Sequence, residues 1–152
     1  MAEAGYESQH IEDVLEENGE ISVCTSGVSM YPMLRNRRDM IVLKKLDRDL
    51  RKNDVPLYRA PSGKLVLHRI LGVTPDGYII RGDNLFCKEK VKHEQIIGVL
   101  KAFYRGGKYF DCEKSRKYKI YIVLNRASYP IRYFWKFKLR PLLSKIKHKI
   151  FK

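Results

Sequence analysis

The stretch SGVSMYPML at residues 26–34 decides the fold and the interpretation of this 152-residue chain. Gly27 and Pro32 break regular secondary structure within it. The preceding residues 21–24 alternate between apolar and polar side chains, which predicts a strand that ends just before the stretch. Ser29 is therefore expected to lie on an irregular turn directly after a strand, with its hydroxyl outside any regular element.

Two later stretches supply chemical groups that match a serine hydroxyl. LHRI at 67–70 carries His68, and RGDN at 81–84 carries Asp83. A serine hydroxyl is a weak nucleophile at neutral pH, so it needs a base within hydrogen-bond reach and a third group that orients this base. Unrelated folds assemble this geometry from different chain orders. The sequence therefore offers Ser29, His68 and Asp83 as nucleophile, base and orienting carboxylate.

The local contexts of these residues resemble the signal peptidase superfamily of serine proteases, which includes the LexA-type self-cleaving repressors. The resemblance covers roughly residues 20–105 and rests on the Ser-Met-x-Pro, His-Arg-Ile and Gly-Asp-Asn boxes. A histidine base resembles the branch of the endoplasmic reticulum, archaeal and sporulation-type signal peptidases. The resemblance implies that Ser29 attacks the scissile carbonyl and that His68 is its base. We expect Met30 and Pro32 of the same box to contact the substrate.

The identity of the third catalytic residue stays open between two acids. Members of this superfamily have an acid in or near the Gly-Asp-Asn box, and in some of them a later acid is the catalytic one. Here the box is followed by LFCKE at 85–89, so Glu89 competes with Asp83. Gly-Asp-Asn is also ordinary turn chemistry, since Asp and Asn side chains bond to nearby backbone groups.

The patterning predicts a mostly β fold, with an antiparallel β domain, a short N-terminal helix and a basic helical C-terminal tail. The resemblance implies that the β domain is a signal peptidase/LexA-like catalytic domain. We expect His68 to lie within a strand, on the side shared with Val66 and Ile70. The expected segments are 1–19 (helical), 20–113 (catalytic β domain) and 114–152 (tail). The predicted elements are a helix at 8–18 with Ser8 as cap and Gly19 as stop, strands at 21–24, 40–43, 55–59, 64–73, 78–81, 96–104 and 108–112, and turns at 60–63 and 106–107.

The positive charge is concentrated in the tail. The net charge is +14, yet residues 114–152 hold thirteen Lys and Arg and no Asp or Glu, which leaves +1 for residues 1–113. Aromatic and aliphatic residues interleave with these bases, and Pro130 and Pro141 each suit a helix start. We expect amphipathic helices that lie on an anionic membrane surface. Packing on the β domain is the second alternative, and nucleic-acid binding is the weakest of the three.

The remaining composition gives the setting. No stretch approaches the roughly 18 to 20 apolar residues that span a bilayer, and no secretory signal precedes the β domain. Cys24, Cys87 and Cys112 are odd in number and widely spaced, as expected of reduced thiols. We therefore expect a cytoplasmic location, peripheral to the inner membrane surface if the tail binds lipid. No histidines have the spacing of metal ligands, so we expect neither a metal nor a cofactor.

Two function classes remain from the sequence. The first is a serine endopeptidase that hydrolyses a leader, signal or precursor peptide through Ser29 and His68. The second is a catalytically idle relative that binds peptide or membrane as an adaptor. A self-cleaving repressor is a weaker third class, because few residues precede Ser29 to form a DNA-binding domain. The presence of both Ser29 and His68 favours the enzyme, since a binding module has no need of the pair.

Overall fold

Two units make up the chain, and they divide between Tyr118 and Lys119. The computed structural model describes residues 2–141 and the side chains of residues 10–141. The first unit contains an N-terminal helix and two antiparallel sheets, so the mostly β class predicted from the sequence is confirmed. The C-terminal helix predicted in the tail is also present.

The helices are α1 (Ala2–Asn18) and α2 (Arg116–Phe134), and a π-helical segment (Trp135–Leu139) follows α2. A 3-10 turn (His93–Gln95) lies between β7 and β8. The strands are β1 (Glu20–Cys24), β2 (Met40–Lys44), β3 (Pro56–Arg59), β4 (Leu65–Leu67), β5 (Arg69–Thr74), β6 (Gly77–Arg81), β7 (Glu89–Lys92), β8 (Ile96–Arg105) and β9 (Lys108–Asp111).

The two sheets enclose the core of the first unit. The larger sheet has the order β1-β2-β8-β3-β4, and β9 pairs with β8 outside this path. The smaller sheet has the order β5-β6-β7. Both sheets contribute buried side chains to one apolar cluster. Burial of this cluster removes apolar surface from water and so holds the larger sheet against the smaller one. Its buried members are Leu50, Tyr58, Ile70, Tyr78, Ile80, Val91 and Val99.

The prediction of one continuous strand at 64–73 is wrong. β4 ends at Leu67 and pairs with β3 in the larger sheet, whereas β5 begins at Arg69 and pairs with β6 in the smaller sheet. Residue patterning shows which positions are strand-like but not which strand each one pairs with, so the change of sheet is invisible in the sequence. His68 is the single residue at which the chain passes from one sheet to the other.

The sequence predicts the C-terminal end of α1 correctly but not its N-terminal end. Gly19 ends the helix as expected, with a positive φ of 74° and its N–H donating to the carbonyl of Leu15 at 3.1 Å. The start was wrong, because α1 begins at Ala2 and Ser8 lies within it. The hairpin between β8 and β9 is confirmed, with positive φ at both Gly106 and Gly107.

The prediction that Pro130 starts a helix is also wrong. α2 begins at Arg116 and continues through Pro130 to Phe134. A proline inside a helix leaves the carbonyl four residues earlier without its backbone donor, which costs about 3 kcal/mol, and the flanking residues maintain the helix despite this cost. The predicted helix after Pro141 lies outside the described residues. Within the described part of the chain, no helix combines the length and the apolarity needed to cross a bilayer.

Candidate active site

Ser29 lies on the long loop between β1 and β2, as the sequence predicted. Met30 follows it and is buried, which anchors the loop in the core. The base of the loop is held by Asp39, which is completely buried and accepts hydrogen bonds from Arg35 and Arg105. Arg105 also donates to the carbonyl of Pro32 within the loop. These contacts give Ser29 a defined position although it belongs to no helix or strand.

The turn after β6 is fastened to the same loop. The amide of Asn84 donates to the carbonyl of Ser29 at 2.8 Å, and its side-chain amide donates to the carbonyl of Val28 at 3.2 Å. The amide and the hydroxyl of Ser29, by contrast, donate to no other described residue. The backbone is therefore fixed on its carbonyl side, and both donors of Ser29 remain available to a ligand.

His68 is held from one side by a carboxylate and a phenol. Its Nδ1 lies 3.1 Å from Oε1 of Glu89 and 3.3 Å from the hydroxyl of Tyr58. The same hydroxyl donates to Oε2 of Glu89 at 2.8 Å. Burial, and then the hydrogen bond to Glu89, raise the pKa of Tyr58, so the phenol keeps its proton and remains a donor. The carboxylate of Glu89 therefore accepts from Tyr58 and lies against Nδ1 of His68, which fixes the orientation of the imidazole.

Gly82 lies close to both the imidazole ring of His68 and the backbone of Ser29. A methyl group built on its Cα would lie 2.7 Å from the carbonyl oxygen of Ser29 and 3.1 Å from Nε2 of His68. The ring edge that carries Nε2 and Cδ2 therefore lies beside Gly82, close to the backbone of Ser29, while Nδ1 contacts Glu89. The hydroxyl of Ser29 and Nε2 of His68, which both belong to described residues, do not form a hydrogen bond with each other. Such bonds are often long in enzymes free of substrate. Only glycine leaves room for this close approach.

Asp83 has a different partner from the one expected first. Its two carboxylate oxygens accept from Nε and Nη2 of Arg69 at 2.8 and 2.7 Å, and both side chains are only 2% exposed. Arg69 also donates to the hydroxyl of Tyr118 at 2.8 Å. Of the two acids left open by the sequence, the contacts therefore place Glu89 on His68 and Asp83 in a buried ion pair beside it.

The electrostatic environment favours a neutral His68. Burial lowers the pKa of its imidazole, and the carboxylates of Glu89 and Asp83 raise it by less, so that it lies below the ordinary value of 6.5. A proton bound at Nδ1 and shared with Glu89 leaves the lone pair on Nε2, the nitrogen on the side of Gly82. At neutral pH His68 is therefore in the form that can accept a proton.

A cavity of about 260 Å³ opens beside Ser29. It is lined by residues of β1, β2, β3 and β4, by one residue of α1 and by the loop that carries Ser29. Of these strands, β1 and β4 are the outer strands of the larger sheet and pair on one side only. Met30, predicted to contact the substrate, lines the cavity, whereas Pro32, predicted to do the same, is exposed on the loop outside it. An apolar recess flanked by two unpaired strand edges is suited to an extended peptide.

Sequence reasoning missed Tyr58 and Gly82 as members of the site. Tyr58 could have been found from the β3–β4 hairpin, because it pairs with Val66 and therefore lies diagonally across from His68, two residues further on. Gly82 was considered only as a turn residue, and nothing in the sequence shows how closely Ser29 approaches it.

Neither protein-family models nor the sequences of curated proteins match this chain. Within the described residues, no cluster of three or more His, Cys, Asp or Glu side chains could hold a metal ion. The function of the chain is therefore inferred from the geometry of Ser29, His68 and Glu89.

We expect Glu89→Gln to lower the pKa of His68 further. Loss of the carboxylate removes the larger of the two attractions that oppose the effect of burial. Titration of the histidine ring resonances by NMR measures both values, with His68→Ala identifying the resonance. The wild-type midpoint should lie below 6.5 and the variant midpoint below that of wild type. A midpoint that rises, or does not move, would contradict the contact between the two side chains.

Asp83→Asn is expected to destabilise the fold by about 3–5 kcal/mol, because it leaves the buried guanidinium of Arg69 without its carboxylate. The matched control is Asp47→Asn, which removes an exposed carboxylate paired with Lys44 and should cost at most about 1 kcal/mol. Urea denaturation of both variants measures the difference. An Asp83→Asn protein as stable as the control would show that the ion pair has no structural role.

Proposed function

We propose that this protein is a serine endopeptidase in which Ser29 is the nucleophile, His68 the general base and Glu89 the residue that orients His68. The observation that supports this most is the two-sided placement of the imidazole. Nδ1 contacts Glu89 at 3.1 Å, and the ring edge that carries Nε2 lies beside Gly82, which also approaches the carbonyl of Ser29. This supports the proposal because nucleophile activation needs a base that one group orients at one nitrogen and whose other nitrogen is available to the hydroxyl.

The chemistry follows from these positions. Nε2 of His68 takes the hydroxyl proton as Oγ of Ser29 attacks the peptide carbonyl, and the imidazolium is stabilised by Glu89. The imidazolium then gives its proton to the leaving amine as the peptide bond breaks, which leaves an acyl group on Oγ. A water molecule that loses its proton to His68 attacks this ester, and the proton returns to Oγ when the second fragment departs.

The backbone amide of Ser29 is the proposed donor to the oxyanion. Its carbonyl is engaged by Asn84, whereas the amide donates to no other described residue. A donor fixed in advance, where negative charge develops, stabilises the transition state by roughly 2.7–4 kcal/mol. The loop that exposes the hydroxyl therefore also presents the amide.

The proposed substrate is an extended segment of a leader, signal or precursor peptide. β1 and β4 both offer unpaired backbone groups at the cavity, so main-chain hydrogen bonds can set the register of the peptide beside Ser29. The cavity of about 260 Å³ lies below the range of roughly 300–1,000 Å³ typical of pockets that enclose a whole small ligand. It therefore suits individual apolar side chains of a longer chain. A preference for small residues before the cut is implied by the resemblance alone.

The proposed location is the cytoplasm, at the inner membrane surface. Cys24, Cys87 and Cys112 are free thiols, and the first two are exposed. Exposed free thiols are typical of a reducing compartment. The alternative function, a catalytically idle adaptor that binds peptide at the same cavity, would use the strand edges and leave Ser29 and His68 without a role.

The test is mass spectrometry of a diverse peptide pool after incubation with wild-type protein, Ser29→Ala and His68→Ala. Each variant should lose at least about a thousandfold of the cleavage rate, because the nucleophile and its base act as a unit. Ser62→Ala is the matched control, since Ser62 is exposed in the turn between β3 and β4, does not line the cavity and should retain activity.

Two outcomes would contradict the proposal. Cleavage that persists in Ser29→Ala would come from another nucleophile. Peptide binding without cleavage by the folded wild-type protein would instead support the adaptor.

A further inference from the structure

A stripe of large apolar side chains lies exposed along α2. Each is between 55% and 72% exposed, although these are residue types that folded proteins usually bury. We call this set the α2 stripe. Its members are Ile120, Val123, Leu124, Ile131, Phe134 and Trp135.

The α2 stripe occupies a single face of the helix. Its first five members lie in α2, and Trp135 directly follows this helix. From Ile120 the others follow at steps of 3, 4, 11, 14 and 15 residues, which return to the same side of a helix with 3.6 residues per turn. At about 100° per residue, all six fall within an arc of about 120°. Soluble proteins rarely expose a continuous apolar face of this kind unless it binds a partner.

The charges around the stripe have one sign. No Asp or Glu occurs after Glu113 in the sequence. Within the described residues, the exposed bases after Glu113 lie before the stripe, beside it or after it: Lys114, Arg116, Lys117, Lys119, Arg126, Lys136, Lys138 and Arg140. The surface that covers the stripe must therefore be apolar at its centre and negatively charged around it.

Aromatic residues are concentrated at the C-terminal end of the stripe. Tyr133, Phe134, Trp135 and Phe137 are each 45% to 59% exposed. Tryptophan and tyrosine are enriched at the boundary between lipid headgroups and acyl chains, because their rings have an apolar body and a polar edge. The segment thus combines an apolar stripe, flanking bases and interfacial aromatics.

We propose that the α2 stripe docks on an anionic lipid bilayer, with α2 lying in the plane of the interface. The stripe enters the boundary of the acyl chains, and the flanking bases contact anionic headgroups. A second copy of the chain is disfavoured as the occupant, because it would bring two clusters of like charge together. Nucleic acid is disfavoured because Ile120, Val123 and Leu124 offer aliphatic groups that do not stack on bases. This proposal is independent of the proposed peptidase activity.

The single tryptophan of the chain provides the test. Trp135 is 55% exposed and belongs to the stripe, so its fluorescence reports directly on docking. The full-length protein is titrated with phosphatidylcholine vesicles that contain or lack phosphatidylglycerol. The expected results are a blue shift only with phosphatidylglycerol, quenching by lipids brominated on the acyl chains, and weaker binding at high salt.

Matched variants separate the stripe from simple charge attraction. Val123→Asp places a charge on the stripe and should weaken vesicle binding by at least about tenfold, since both apolar burial and net positive charge decrease. Val73→Asp is the control, because Val73 is 54% exposed on β5. Circular dichroism checks that both variants fold. Quenching of Trp135 by brominated lipid in the wild-type protein tests docking without any substitution.

Three results would overturn the proposal. Equal vesicle binding by Val123→Asp and Val73→Asp would mean that charge alone binds the lipid. A blue shift that grows with protein concentration in the absence of vesicles would assign the stripe to a second copy. A shift produced by nucleic acid, together with no quenching by brominated lipid, would assign it to nucleic acid.

Discussion

The buried ion pair between Arg69 and Asp83 holds together the two chain segments that frame the candidate active site. Both side chains are 2% exposed, and two hydrogen bonds of 2.7 and 2.8 Å join them. Arg69 directly follows His68, and Asp83 directly follows Gly82. The pair therefore fixes the start of β5 against the end of β6, and with it the distance between the imidazole and the turn that contacts Ser29. Removal of either side chain would leave the other as an unpaired buried charge, so the fold requires both.

Within this frame, the reactivity of His68 depends on a balance between burial and a single carboxylate. Burial favours the neutral imidazole, whereas Glu89 favours the charged one and is outweighed in the free protein. Glu89 remains 41% exposed, so water screens its attraction for His68. A bound peptide that displaces this water would strengthen the attraction at the moment when the imidazolium forms. Tyr58 keeps the carboxylate in place by donating to its second oxygen.

Much of the fold could be predicted from local patterns, and the site only in part. The loop at 26–34 and the Gly106–Gly107 hairpin follow from turn chemistry that acts over a few residues. The break at His68 could not be predicted, because strand patterning does not reveal the pairing partner. The assignment of Glu89 rather than Asp83 to His68 depends on which acid faces Arg69 across the core, a contact between distant residues that no spacing encodes.

The most direct test of the proposed nucleophile and base is whether His68 activates Ser29 for attack on an electrophile. Intact-mass spectrometry can follow reaction with a fluorophosphonate, in which Oγ bonds to phosphorus as fluoride leaves. We expect one adduct, at Ser29, formed at least about a thousandfold more slowly in His68→Ala. The rate should fall on the acid side with a midpoint below the ordinary histidine value of 6.5. An adduct on another residue, or a rate independent of His68, would contradict the proposed roles of Ser29 and His68.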